Sequence, residues 1–218
     1  MTSLVYLVIG FTSCIFKVIE STQQPQITVT TEVIVGFKVN LTCSYPVEEN
    51  KTGTFKWYVN DTQLIETRYN IVQQHILRFM VKKTDKYNVY KCKVEVTTTG
   101  SQENHFKTIK LQPKYPPTIH MKPLYICDRL WNINLSCEAE GNPAKYTFSN
   151  WEHRVGGTVI RHLPGVNIDN ISYLKLSRCT YQDTGTYYCT VGNNVSHPNN
   201  TQTSVGSVDF KVNGMFFT

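Results

Sequence analysis

The sequence lacks the short motifs that carry enzymatic chemistry. It has no Cys-X-X-Cys ribbon for a metal, no Gly-X-Ser-X-Gly nucleophile elbow and no glycine-rich phosphate loop. No two histidines stand at the spacing of metal ligands, since they are scattered over the chain at His75, His105, His120, His153, His162 and His197. We therefore predict a non-enzymatic protein without catalytic, cofactor-binding or metal-ligating residues.

Long apolar runs are also missing. The chain stops at residues 215–218, and no run of ~20 apolar residues precedes this tail. The apolar run at 4–11 is too short to span a bilayer but has the length of a secretory signal core, although neither Lys nor Arg precedes it. We predict a signal peptide at 1–21, cleaved after Cys14 or Ser21. The product is then exported without a membrane span, as a secreted protein or a shortened form of a longer cell-surface protein.

Charged residues are sparse, at 17% of the chain, whereas Tyr, Thr and Val are abundant. This composition favours half-buried strands over helices. Removal of the leader would also remove Cys14 and leave six of the seven cysteines, an even number that is typical of proteins whose thiols are oxidised outside the cell. The composition therefore predicts an all-β protein with disulfide bonds.

One spacing of residues occurs twice. A Cys is followed fourteen positions later by a Trp and then by a second Cys with a Tyr two residues before it, first as Cys43, Trp57, Tyr90 and Cys92 and then as Cys137, Trp151, Tyr187 and Cys189. This pattern resembles the immunoglobulin superfamily, whose sandwiches join strands B and F by a disulfide packed on a Trp of strand C. The resemblance implies two tandem immunoglobulin-like antiparallel β-sandwiches with the bonds Cys43–Cys92 and Cys137–Cys189.

The cysteines left over are Cys127 and Cys179. Cys127 stands near the turn into strand B, and Cys179 ends the strand-E run just before the corner between strands E and F. In an immunoglobulin-like sandwich these two turns lie at the same end. We predict a Cys127–Cys179 bond in the second domain. The alternative is that one of the two thiols pairs with another chain.

The corner between strands E and F is expected to differ between the two halves. Gly185 precedes the strand-F Tyr in the second half, and Asn88 takes its place in the first, where Asn tolerates a left-handed backbone. Asp183 is expected to accept hydrogen bonds in this turn or to pair with Arg161 or Arg178.

A length of 218 residues accommodates two sandwiches of about 100 residues each and a leader. The proline-rich segment 113–117 divides the chain, which predicts immunoglobulin-like domains at 24–114 and 115–214 and a short tail at 215–218. The intervals between the paired cysteines, 49 and 52 residues, leave little room for the extra strand of variable-type domains. Both domains are therefore expected to be of the intermediate or constant type.

Seven Asn-X-Ser/Thr acceptor triplets indicate an exported glycoprotein. They begin at Asn40, Asn50, Asn60, Asn134, Asn170, Asn194 and Asn199. Alternation places Asn40 and Asn134 on the outer face of the sheet that contains strand B, so that glycans there would leave the opposite C, F and G sheet of the first domain open. Asn60 lies near the lower end of that open sheet. Asn194 and Asn199 fall in the F to G loop of the second domain, where glycans would hinder a partner.

The net charge of +6 comes almost entirely from the first domain, which has thirteen basic and eight acidic residues between 24 and 116. If the strand-C Trp and the strand-F Cys point inward, alternation points four neighbouring side chains outward: Lys56, Tyr58, Lys91 and Lys93. Such a face suits an extracellular protein, including another immunoglobulin-like domain or a second copy, or an acidic or sulfated glycan. The alternative is an ordinary solvated sheet. Nucleic acid is not an expected partner of an exported glycoprotein.

The resemblance implies extracellular recognition or adhesion through surfaces displayed on the domains. Two functions remain open at this point. One is a protein-binding adhesion or receptor module. The other is a soluble immune-defence or decoy factor that binds glycans or a signalling ligand.

Overall fold

The computed structural model describes residues 24–46, 51–69, 74–97, 99–128 and 131–213. The predicted signal peptide, the acceptor triplet at Asn50 and the tail at 215–218 lie outside the described residues. Within the described ranges the chain is all-β, with two short 3₁₀ helices. None of the helices in these ranges is long and apolar enough to cross a membrane.

The N-terminal half folds into two antiparallel sheets. Its strands are β1 (Gln26–Val29), β2 (Lys38–Ser44), β3 (Thr52–Val59), β4 (Thr62–Tyr69), β5 (Gln74–Met80), β6 (Val89–Thr97) and β7 (Gln102–Lys110). One sheet has the order β1-β2-β5 and the other the order β4-β3-β6-β7. The β3–β4 hairpin turns at Asn60 and Asp61, whose φ angles of 48° and 65° are ones that Asn and Asp tolerate well.

The C-terminal half repeats this arrangement. Its strands are β8 (Tyr115–His120), β9 (Leu124–Asp128), β10 (Ile133–Asn142), β11 (Thr147–Phe148), β12 (Trp151–Val155), β13 (Thr158–Leu163), β14 (Val166–Ile168), β15 (Ile171–Leu176), β16 (Gly185–Gly192) and β17 (Ser204–Asn213). The sheets have the orders β14-β15-β10-β8 and β13-β12-β16-β17-β9, and β11 pairs with β16. The pairing of β17 with β9 is parallel.

Each half has a core of its own, because alternate residues of its strands point between the two sheets. In the first half the fully buried Trp57 belongs to the cluster around the Cys43–Cys92 disulfide. In the second half Trp151 lies in the cluster around Cys137–Cys189 and donates a hydrogen bond from Nε1 to Ser172 Oγ at 3.0 Å. These are the two bonds that the resemblance implies.

A third disulfide, Cys127–Cys179, lies in the second half, as the sequence predicts. Cys127 is on β9, at the edge of one sheet, and Cys179 follows β15, which belongs to the other sheet. Both residues are buried. The bond therefore joins the two sheets near one edge, and neither thiol is left to pair with another chain.

The chain enters β6 and β16 through the 3₁₀ helices η1 (Lys83–Tyr87) and η2 (Tyr181–Asp183). Asp85 and Asp183 occupy the same position in these helices, and each accepts a hydrogen bond from the backbone N–H three residues earlier, at 2.7 Å in both cases. The corner forms at Asn88 without the left-handed backbone that Asn tolerates, since its φ is −83°. The Asn88 side chain instead donates to Asp85 Oδ1 at 2.9 Å, so the corner is closed by a side-chain bond.

The second corner carries a buried polar network. The hydroxyl of Tyr187 donates to the carbonyl oxygen of Asp183 at 3.0 Å, the bond expected of a tyrosine corner. Asp183 forms an ion pair with Arg161, and the other expected partner, Arg178, lies in a left-handed turn with φ 52°. Arg161 Nε also donates to Nδ1 of the fully buried His153, at 3.2 Å, while His153 Nε2 donates to a backbone carbonyl at 3.1 Å. Both ring nitrogens of His153 are engaged, so its role is structural.

Candidate recognition face

The outward surface of β3, β6 and β7, called here the CFG face, carries the four residues predicted from the sequence. Strand register places Lys56 opposite Lys93 and Tyr58 opposite Lys91. On the other side of β6, Phe106 of β7 lies opposite Lys93. Because Trp57 and Cys92 point inward, alternation brings these five side chains to one surface.

A carboxylate that the sequence analysis overlooked balances part of the positive charge. Glu95 Oε2 lies 2.8 Å from Lys56 Nζ, and Glu95 Oε1 lies 2.8 Å from Lys93 Nζ. Hydrogen bonds from these two ammonium groups lower the pKa of Glu95 below its ordinary value. The side chain of Glu95 is only 14% exposed, so the three groups form a fixed, partly buried cluster. Two of the three predicted lysines are therefore not free cations.

The third lysine of the CFG face is held differently. Lys91 Nζ forms an ion pair with Asp61, in the turn between β3 and β4. The same ammonium lies 5.1 Å from the centre of the Tyr58 ring, within the range of a cation–π contact. The Tyr58 hydroxyl in turn donates to Gln63 Oε1 at 3.3 Å. These contacts within the domain fix the orientations of the Tyr58 and Lys91 side chains.

An exposed aromatic ring lies beside these charges. Phe106 is 62% exposed, and it lines a groove of about 480 Å³ together with the β3–β4 turn, Lys91 and Thr108. Phe106 was not among the residues predicted for this face, although strict alternation along β7 points its side chain outward. A large apolar ring on the outside of a sheet has no role in the core of its own domain.

The acceptor triplet at Asn60 borders this groove. Asn60 Oδ1 accepts a hydrogen bond from the backbone N–H of Val89 at 2.9 Å, and its Nδ2 donates to Asn88 Oδ1 at 2.8 Å. The side chain therefore ties the β3–β4 turn to the start of β6. The use of this triplet stays a prediction.

The other described acceptor triplets lie away from the CFG face. Asn40 is on β2 and Asn134 on β10, both in the sheet opposite the strands equivalent to C, F and G. Asn170 directly precedes β15, at the end of the β14–β15 turn, and donates to the carbonyl oxygen of Ala139 at 3.2 Å. Asn194 and Asn199 lie between β16 and β17, as expected. Glycans at these positions would leave the CFG face accessible.

Metal binding has no candidate in the parts of the chain that the structure describes: there, no three His, Cys, Asp or Glu side chains are placed to hold an ion together. The arrangement on the CFG face offers binding chemistry instead. It combines one exposed ring, one stacked Tyr–Lys pair and a cluster of opposite charges, groups that are common at protein interfaces.

Comparison with known proteins identifies the first half directly. Residues 24–111 match the family model of the immunoglobulin domain. No curated protein matches the sequence.

Among solved structures, the full ectodomain of mouse nectin-like molecule 4 aligns with 90% of this chain and 67% of its own, at 19% identity and a TM-score of 0.54. An I-band fragment of titin aligns with 86% of this chain and 65% of its own, at 13% identity and a TM-score of 0.51. The N-terminal eight immunoglobulin domains of Down Syndrome Cell Adhesion Molecule align with 88% of this chain and 25% of their own, at 14% identity and a TM-score of 0.50. The chain thus spans about two thirds of the first two structures and a quarter of the third. At these identities the likeness concerns the fold.

Proposed function

Because the chain is an immunoglobulin-superfamily protein with tandem immunoglobulin-like domains, we propose that it is an extracellular, non-enzymatic recognition module. It binds a protein partner through the CFG face of its first domain. The first domain comprises residues 24–114 and the second residues 115–214. The names of two similar structures, an ectodomain and a cell adhesion molecule, support this proposal by analogy of fold.

The observation that carries the proposal is the exposed Phe106 on a face whose charges are already paired. The three lysines at the centre of this face, Lys56, Lys91 and Lys93, meet two carboxylates, Glu95 and Asp61, which leaves a charge of about +1 for this central group. A sulfated polyanion binds best to an array of free cations, because its affinity comes from releasing counterions. An aromatic anchor within a charge-balanced polar surface fits a folded protein better.

The placement of the acceptor triplets supports the same face. Asn40 lies on the opposite sheet of the first domain, so a glycan there would cover that surface and leave the CFG face open except at its end beside Asn60. Three disulfides fit an oxidising, extracellular environment.

The test is a binding screen of the exported protein against extracellular protein domains and sulfated glycans, followed by substitution of Phe106. Phe106→Ala removes the exposed ring without opening the core, and we expect the affinity for a protein hit to fall about 30-fold, as for an interface anchor worth ~2 kcal/mol. Tyr181→Ala is the matched control, since Tyr181 is also 62% exposed but lies in the second domain.

Equal affinity of the wild type and Phe106→Ala would place the binding surface elsewhere. A hit confined to sulfated glycans, with affinity that falls steeply as salt rises, would replace the proposal by a glycan-binding function.

A further inference from the structure

The loop between β16 and β17 lies against the first domain and does not form a free tip. Asn193 is only 3% exposed, and its Nδ2 holds the start of the loop to its own domain by donating to the carbonyl oxygens of Tyr115 at 2.9 Å and Pro143 at 3.1 Å. Farther along the loop, Pro198 approaches the first domain so closely that a Cβ added to Gly36 would lie 2.9 Å from its Cγ. The loop is therefore part of the joint between the domains.

The last residue of the first domain, Lys114, pairs with the strand edge at Val33 and Val35 in the same place. The N–H of Val35 donates to the carbonyl oxygen of Lys114 at 2.9 Å, and the N–H of Lys114 donates to that of Val33 at 2.7 Å. Lys114 Nζ also lies 2.8 Å from Glu32 Oε1. These bonds lie within the first domain, and their two backbone amides report whether its last residue stays paired beside the second domain.

A groove of about 280 Å³ opens between these elements. It is lined by residues of both domains: Glu32, Ile34, Lys114, Pro143, Lys145, Asn193, Asn194, Val195 and Ser196. Asn194 is exposed, although Asn193 and Val195 on either side of it are buried. The φ of Asn194 is 60°, a left-handed conformation that turns its side chain into the groove while Asn193 and Val195 stay buried.

Asn194 also begins the acceptor triplet Asn194-Val195-Ser196. We propose that Asn194 carries an N-linked glycan whose first sugar occupies this groove and fixes the angle between the two domains. The groove offers that sugar a carboxylate from Glu32, ammonium groups from Lys114 and Lys145 for its hydroxyl and acetamido groups, and the apolar side chain of Ile34 for its ring. This inference rests on the export of the chain, which is part of the proposed function.

The covalent step uses a lipid-linked oligosaccharide diphosphate as the donor, in the secretory pathway. The bond between the diphosphate oxygen and C1 of the sugar attached to it breaks, and a bond between this C1 and Asn194 Nδ2 forms. The diphosphate leaves with the electron pair of the broken bond, and the amide nitrogen gives up one proton. No oxidant or reductant takes part.

Asn199 provides a control within the same loop. Its Oδ1 accepts hydrogen bonds from the backbone N–H and the hydroxyl of Thr201, at 3.2 and 2.8 Å. Asn199 is exposed and does not line the groove. A glycan there would add the same mass to the loop from a position outside the groove.

The experiment compares hydrogen exchange in peptides that contain Val35 and Lys114, in protein secreted from eukaryotic cells. Ser196→Ala removes the acceptor triplet of Asn194 and leaves Asn194 itself in place, and Thr201→Ala does the same for Asn199. We expect these two amides to exchange about two- to tenfold faster in Ser196→Ala, the effect of losing one net hydrogen bond, and at the wild-type rate in Thr201→Ala.

Two further measurements test whether the first sugar alone causes the slow exchange. An endoglycosidase that leaves a single N-acetylglucosamine should preserve the slow exchange, and complete removal of the glycan should abolish it. Wild type and Ser196→Ala made without glycosylation should exchange alike, which excludes an effect of the serine hydroxyl itself.

Mass spectrometry of glycopeptides decides the remaining outcomes. This inference is overturned if Asn194 is unmodified while other triplets carry glycans. It is also overturned if wild type and Ser196→Ala exchange at the same rate. In both cases the proposed function still stands. Absence of glycan from every triplet of the secreted protein overturns this inference alone, whereas failure of the cells to secrete the chain overturns the export on which the proposed function depends.

Discussion

Substitution of Asp183 by Asn tests the network at the corner between β15 and β16. Asn can still accept the backbone hydrogen bond from Thr180, which is 2.7 Å long, but it loses the ion pair with Arg161. The Asp183 side chain is 14% exposed and that of Arg161 is 38% exposed. The contribution of this pair to stability should therefore lie between that of an exposed ion pair, about 0.2–1 kcal/mol, and that of a hydrogen bond to a buried charge, about 1.5–3 kcal/mol. We expect a loss of about 1.5 kcal/mol, which lowers the melting temperature of the second domain by about 6–12 °C.

Asp85→Asn is the matched control in the first domain. Asp85 caps η1 as Asp183 caps η2, but its bonds come from two neutral donors, the backbone N–H of Lys82 and the amide of Asn88. Asn can replace only one of the two accepting oxygens of Asp85, so it keeps the cap and loses one neutral hydrogen bond, worth about 0.5–1.5 kcal/mol. The difference between the two losses therefore measures how far the ion pair with Arg161 exceeds a neutral hydrogen bond, and an Asp183→Asn/Arg161→Met double-mutant cycle gives the coupling between Asp183 and Arg161 independently.

The pH dependence of this loss has a definite sign. Burial alone would raise the pKa of Asp183, but the hydrogen bond from the Thr180 backbone and the bond to Arg161 together outweigh it and lower the pKa below its ordinary value of 3.8. A carboxylate with a depressed pKa in the folded state stabilises the fold above its unfolded pKa and loses this contribution as the pH falls through the folded value. The stability difference between wild type and Asp183→Asn should thus be full at pH 7 and shrink below about pH 4.

The assay is chemical denaturation of the full chain, with the second-domain transition followed by hydrogen exchange in β16 peptides. Equal losses for Asp183→Asn and Asp85→Asn would refute the assignment of the ion pair. A difference that persisted unchanged in acid would refute the titration argument.

Three further substitutions probe other parts of the structure. Glu95→Gln leaves Lys56 and Lys93 without their shared carboxylate, so the protein should be retained longer on a sulfated-glycan column. The free energy of unfolding should fall by about 1 kcal/mol. Unchanged retention would contradict the charge balance proposed for the CFG face. Burial lowers the pKa of His75 below 6.5, so the first domain should lose stability as the pH falls below about 6.5, and His75→Gln should flatten this slope in melting experiments between pH 5 and 7. Gly185→Ala places a Cβ 2.5 Å from a backbone carbonyl oxygen at φ 152°, so denaturation should show a loss of about 2–4 kcal/mol, and wild-type stability would show that the corner can shift.

Much of this architecture follows from the spacing of a few residues. The repeated Cys, Trp, Tyr and Cys pattern predicts both cores, because a thin sandwich needs a bulky ring and a cross-link at fixed strand positions. The Cys127–Cys179 pairing is also predicted correctly, since few positions in this topology bring two leftover cysteines together. These features depend on chain topology, which local spacing encodes.

Other features depend on side-chain partners that spacing does not reveal. Asn88 and Gly185 stand at equivalent distances from their cysteines, but Asn88 closes its corner with a side-chain bond to Asp85 and a negative φ. On the CFG face, alternation points Lys56 and Lys93 outward, but it does not show that both reach Glu95. The packing of the β16–β17 loop against the first domain is a long-range contact and has no local signal.

The pairing of Lys114 with Val33 and Val35 also sets the smallest useful fragment of the first domain. A fragment that stopped at Leu111, where the match to the immunoglobulin-domain model ends, would lose the acceptor for Val35 N–H and the donor to the Val33 carbonyl. Two adjacent backbone groups would then be left open at a strand edge, where another chain can add and start aggregation. A fragment of residues 24–114 keeps this edge closed with three more residues and should stay monomeric at concentrations where the shorter one precipitates.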